Sequence, residues 1–109
     1  MTRKINILGA EYDYSELSSV DATPRHHEGY SGEHAGYDKT IKIYSGKPFE
    51  GTTEAGTIEC KKSVVRHEIV HGFLFQSGMT DWVQDEKLTE WIAMQFPKML
   101  AVFKEVDAL

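Results

Sequence analysis

From Thr57 to Gln76 the chain carries no proline and a single glycine, Gly72, and Ser77-Gly78 follow as a natural stop. An unbroken run of that kind predicts one long α-helix. At about 100° per residue, Val65, Ile69 and Phe73 fall on one side of it. Val64, His67, Glu68, His71, Leu74 and Phe75 fall on the other. A helix that is apolar on both sides is expected to be buried on both sides, as a central element. The polar residues on its inner side then require a reason.

The rest of the chain supplies the partners for such a helix. At 109 residues, 40% apolar and 27% charged, it has room for one domain, 1–109, with one modest core. In "KINILGAEYDY", Ile5 and Ile7 alternate with polar neighbours, Gly9-Ala10 offers a turn, and Tyr12 and Tyr14 resume the alternation, which predicts a hairpin. "TIKIYSG" predicts a further strand with Ile41 and Ile43 on one face, ended by Ser45-Gly46 and Pro48. Between them lies a polar loop, with a short strand around His34 to Tyr37. A second helix is expected from about Asp85 to Val106, striped by Leu88, Ile92, Phe96, Met99 and Phe103, with Pro97 predicting a kink or restart. The fold class is therefore α+β: a small antiparallel sheet of three or four strands packed against two long helices. Phe73, Phe75, Phe96 and Phe103 are expected in the core, and Trp82 and Trp91 in the core or the cleft wall.

"VVRHEIVHGF" explains the polar inner side. His67 and His71 stand at i and i+4, about 40° apart in azimuth and one turn apart, so both imidazoles can reach one metal ion. Glu68 projects beside them, where it can accept a proton from a zinc-bound water while a carbonyl is attacked. The flanks Val64, Val65, Ile69, Val70, Gly72 and Phe73 are all uncharged. A chance surface pair would sit among Lys, Glu and Gln. Burying two imidazoles and a carboxylate costs free energy unless they are paired, and a metal supplies the pairing. A catalytic zinc site needs a third protein ligand and an open fourth position. "DWVQDEKLTEWIAMQFP" offers Asp81, Asp85, Glu86 and Glu90. Glu90 is favoured, because it lies 19 residues beyond His71 and sits in the apolar part of the second helix. Glu86, one turn earlier, is the next choice, and Glu90 as a solvated carboxylate is the bland reading.

"HEIVHGFLFQSG" followed by "EWIAMQFPKML" resembles gluzincin metallopeptidases, and the small size resembles the minimal members called minigluzincins. The pattern is also similar to short HExxH proteins of phages and prophages of Gram-positive bacteria. Glu90, Ala93 and Pro97, spaced E-x-x-A-x-x-x-P, resemble the ImmA/IrrE-type peptidases that cut repressor proteins. The motif-bearing resemblance covers about residues 60–103. It implies a zincin-like fold with His67, His71 and Glu90 as zinc ligands and Glu68 as catalytic base. The metzincin continuation would place Gly at 74 and His at 77, whereas this chain has Leu74 and Ser77.

Other features bound the reading. A formal net charge of −5 with no Lys/Arg-rich block argues against a nucleic-acid partner. No apolar run approaches a membrane span, and the N-terminus lacks a signal-peptide core, so a cytoplasmic location is expected, with no membrane partner. The single Cys60 excludes an intramolecular disulfide framework. It lies near the His67 face of the helix, where it is either a thiolate beside the zinc or simply a small residue. His26, His27 and His34 match no standard zinc module. One of them, or Tyr30 or Tyr37, is a candidate to fold over the cleft and stabilise an oxyanion. The expected function is a zinc metallopeptidase acting on a peptide or protein substrate, with an edge strand, Thr40 to Tyr44, binding an extended peptide by strand addition. The alternative is a non-catalytic zinc-binding interaction or regulatory module of phage or prophage origin. A latent form, with "KMLAVFKEVDAL" covering the cleft, is a third possibility. Oligomeric state is not legible.

Overall fold

The computed structural model describes residues 2–17, 31–44 and 53–109. They form strands β1 (Thr2–Ile7), β2 (Ala10–Leu17), β3 (Gly32–Ala35) and β4 (Thr40–Tyr44), then helices α1 (Glu54–Gln76) and α2 (Glu86–Glu105). The architecture is α+β, as the residue pattern predicts. The first hairpin turns at Leu8-Gly9, one residue before the expected Gly9-Ala10. Both turn residues have positive φ, 52° and 87°, as a two-residue type I′ turn requires, and the Gly9 N–H donates to Asn6 Oδ1 at 2.9 Å.

The sheet order is β1-β2-β4-β3, and this corrects the expected all-antiparallel sheet. β1 and β2 pair antiparallel, as do β3 and β4, but β2 and β4 run parallel. A parallel pair needs a long connection, and residues 18–39, which include β3, provide it. The same topology puts β4 inside the sheet, so Thr40–Tyr44 is not the edge strand expected beside the cleft; β3 is.

Alternation carries Ile5, Ile7, Tyr12, Tyr14, Ile41 and Ile43 to one face of the sheet. Ile7, Tyr12, Tyr14, Ile41 and Ile43 form the buried cluster, and Val64, Val65 and Ile69 of α1 pack against it. Gly72 lets α1 come this close: a Cβ there would stand 2.7 Å from Ile7 Cδ1. α2 lies against α1, burying Thr89 and Ala93, with Arg66 Nε donating to the Ala93 carbonyl at 2.8 Å. It starts at Asp85, whose side chain accepts from the Leu88 N–H, and it runs through Pro97 as one helix without a restart.

The expected aromatic core is not there. Phe73, Phe96 and Phe103 are 44%, 51% and 36% exposed, and Trp82 and Trp91 are about half exposed. Tyrosines and isoleucines of the sheet fill the core, and Val65 and Ile69 of α1 pack against them, whereas Phe73, one turn further along the same side, is left exposed. Of the four phenylalanines, Phe75 is the one packed among ring neighbours, edge-on to His34 and Tyr37. No helix among the described residues is long and apolar enough to cross a membrane.

Candidate metal centre

A cleft of about 430 Å³ opens between β3, α1 and the start of α2, lined by His34, Cys60, His67, Glu68, His71, Glu86 and Glu90 among others. The i, i+4 spacing on α1 puts both histidines on its wall, and Glu68 and His71 are each only 7% exposed. Gly32 of β3 makes room for this face: a Cβ there would stand 3.0 Å from Glu68 Cγ and 3.1 Å from Val64 Cγ1. After α1 ends at Gln76, Val83 is buried and turns its carbonyl toward His71, and Asp85 then starts α2 so that Glu86 and Glu90 face His67.

The hydrogen bonds fix the chemical state of the rings. His71 Nδ1 lies 2.6 Å from the Val83 carbonyl oxygen. A carbonyl only accepts, so Nδ1 carries the proton and a neutral His71 presents its Nε2 lone pair to the cleft. Burial lowers the His71 pKa, favouring that neutral form, with Glu86 and the Val83 carbonyl opposing. His67 Nδ1 stands 2.6 Å from Glu90 Oε2, and its Nε2 stands 2.8 Å from Glu86 Oε2. Burial also works against a charge on His67, but Glu90 and Glu86, with Glu68 nearby, outweigh it and raise the pKa. Both ring nitrogens of His67 thus face carboxylates, an arrangement that favours its protonated form.

The two Nε2 atoms are 3.2 Å apart, and Glu86 Oε1 is 3.1 Å from His71 Nε2. His67, His71 and Glu86 thus each offer one ligand atom within 4.8 Å of one another. A cation placed among them would take the place of a proton on His67 Nε2 and would meet two imidazole lone pairs and a carboxylate. The other nitrogen of each ring is already held, by a carbonyl on His71 and by a carboxylate on His67, which is the outer-shell support that metal-binding histidines use. The donor set fits a metal ion.

Glu90, the carboxylate favoured on sequence, lies on the far nitrogen of His67, and Glu86 is the one that completes the group. Glu68 lines the same cleft. Cys60 lines it too but is no member of the three-residue group among the described residues. His34 belongs to β3 and reaches the cleft, whereas His26, His27 and Tyr30 lie outside the described residues. Tyr37 is 94% exposed and does not line the cleft. Trp91 borders a shallow groove beside His67, Glu86 and Glu90. None of residues 98–109 lines the cleft, so the C-terminal segment does not cover it as a latent form requires. The Val83 carbonyl escaped the sequence reading, because a backbone acceptor leaves no residue-type signal.

Compared with family models, with curated proteins and with solved structures, the chain matches none.

Proposed function

We propose that this protein is a zinc-dependent metallopeptidase with a zincin-like site, in which His67 Nε2, His71 Nε2 and the Glu86 carboxylate hold the ion. The observation that carries this reading is the convergence of those three donors beside the buried Glu68 carboxylate. A bound zinc would act as a Lewis acid on the scissile carbonyl and on water. Glu68 accepts the proton of the attacking water and passes it to the leaving amine. Glu90 keeps the His67 proton on Nδ1, and the Val83 carbonyl does the same for His71, so both lone pairs stay aimed at one point. An extended peptide lies along β3, the edge strand of the sheet, as an added strand.

Metal analysis together with a peptide-library cleavage assay tests the proposal on wild type and Glu68→Gln. The variant is expected to hold zinc as wild type does and to lose all detectable cleavage. Wild type that binds zinc but cleaves nothing supports the non-catalytic zinc-binding module instead. Wild type that binds no metal ends both readings.

A further inference from the structure

His34 lines the cleft without joining the group of His67, His71 and Glu86, and its surroundings fix where its proton sits. Its Nε2 lies 3.0 Å from the hydroxyl of Tyr12, a side chain with no exposed surface. Gln76 Nε2 donates to that same hydroxyl at 2.9 Å. Tyr12 therefore has one lone pair already engaged and one proton to place. Were His34 to donate from Nε2, the Tyr12 proton would be left buried without an acceptor, at a cost of about 1–3 kcal/mol. The satisfied arrangement runs in one direction: Gln76 donates to Tyr12, Tyr12 donates to His34 Nε2, and His34 keeps its proton on Nδ1.

The ring cannot readily turn away from this arrangement. It lies nearly parallel to the rings of Tyr12 (centroids 5.7 Å apart, planes at 18°) and His71 (6.2 Å, 15°), and Phe75 meets it edge-on at 5.8 Å. Nδ1 makes no hydrogen bond to any described residue. The result is a pre-oriented N–H donor on the edge strand, on the wall of the cleft and one ring-stack away from a proposed zinc ligand.

We propose that His34 Nδ1–H donates to the peptide carbonyl oxygen as negative charge develops on it, and that the Gln76–Tyr12 relay holds the proton on that nitrogen. This inference rests on the metallopeptidase reading. His34 would touch the substrate, whereas Tyr12 and Gln76 act through it as positioning residues. Preorganised donors of this kind favour the charged oxygen over the ground-state carbonyl.

Two measurements test it on the full chain. Ring nitrogen NMR of the metal-free protein reads the tautomer without any need for activity. Wild type is expected to show His34 protonated at Nδ1, and Tyr12→Phe, which keeps the packing ring, is expected to show a tautomer mixture. Calorimetry on zinc-loaded protein then reads binding of a phosphinic peptide, whose charged oxygen mimics the attacked carbonyl. His34→Phe is expected to weaken that binding about 10–100-fold, the worth of one hydrogen bond to a charged group, with zinc affinity unchanged. His34→Gln, which restores an N–H donor, is expected to recover part of the loss. A wild-type proton on Nε2 overturns the proposal, and so does unchanged binding in His34→Phe. Those outcomes leave the metallopeptidase reading standing, whereas a wild type that takes up no zinc overturns both.

Discussion

At the scale of single residues, Glu86 and Glu90 make different contacts with His67, which suit them to different tasks in the proposed metal site. They are one helical turn apart on α2, so both face His67, but they meet different nitrogens of its ring. Glu86 lies on the side shared with His71 Nε2, where an ion would stand, and Glu90 lies on the outer side. Losing an outer-shell partner typically weakens metal affinity about 10–100-fold, and losing a ligand from a three-residue set costs more. Glu86→Ala is therefore expected to weaken zinc binding well beyond Glu90→Ala, and Glu90→Gln, which still accepts from Nδ1–H, is expected to bind nearly as wild type. Competition titration with a zinc chelator measures all three. The opposite ranking would make Glu90 the ligand and Glu86 the support. The sequence made His67, Glu68 and His71 legible as one constellation because their spacing is local to a single helix. It left the two glutamates open because both occupy the same face, and only side-chain placement tells one from the other.

At the scale of elements, the sheet and α1 are tied by more than apolar packing. Register sets Glu16 of β2 beside Ile43 of β4 on the face that meets α1, and there Lys61 Nζ donates to Glu16 at 2.8 Å. The Tyr14 hydroxyl donates to the other oxygen of the same carboxylate at 3.0 Å. The Lys61 hydrogen bond holds the Glu16 carboxyl below its ordinary value against the pull of burial. Tyr14 is pushed up to about 12, first by burial and then by Glu16. A carboxyl depressed in the folded state contributes stability that is full above its unfolded pKa, about 4.3, and is lost as pH falls through the folded value. Lys61→Met is expected to lower the denaturation midpoint at pH 6–7 by the equivalent of about 0.5–1 kcal/mol, since Lys61 is partly solvated. The difference from wild type should shrink as pH drops below about 4. A gap that persists unchanged at pH 2–3 would assign the effect to lost packing. The Lys61–Glu16 pair was invisible in the sequence, as was the parallel β2–β4 pairing, because both join residues far apart in the chain. The hairpin, β4 and both helices were legible, since alternation and helical periodicity are local. The aromatic positions misled because periodicity shows which residues share a face but not whether a neighbour covers it. Phe96 and Phe103 lie on the stripe of Leu88 and Ile92, yet they stay 51% and 36% exposed.

At the scale of the whole molecule, the candidate site joins its two least equally anchored parts. α1 is fixed by the Ile and Tyr core of the sheet and by the close approach at Gly72. α2 buries only Thr89 and Ala93, and many of its large apolar side chains are exposed. Its attachment near the cleft consists of the Arg66 bond to Ala93, the Val83 carbonyl on His71, and the two glutamates on His67. An ion held by His67, His71 and Glu86 would therefore tie α1 to α2. Binding to the folded state alone raises apparent stability by about 4 kcal/mol at a thousandfold excess over Kd. Zinc is thus expected to raise the melting temperature and a chelator to reverse the shift, with Glu86→Ala nearly insensitive to either. Hydrogen exchange gives the sharper reading, because local opening of α2 needs fewer contacts broken than opening of the sheet. Amides of the first turns of α2 should gain about as much protection on zinc addition as those of β2 and β4, because opening α2 and unfolding the whole chain would each release the ion. Gains in β2 and β4 with none in α2 would mean that α2 opens with the ion still bound and so does not hold it. No gain in either would remove the metal from this cleft.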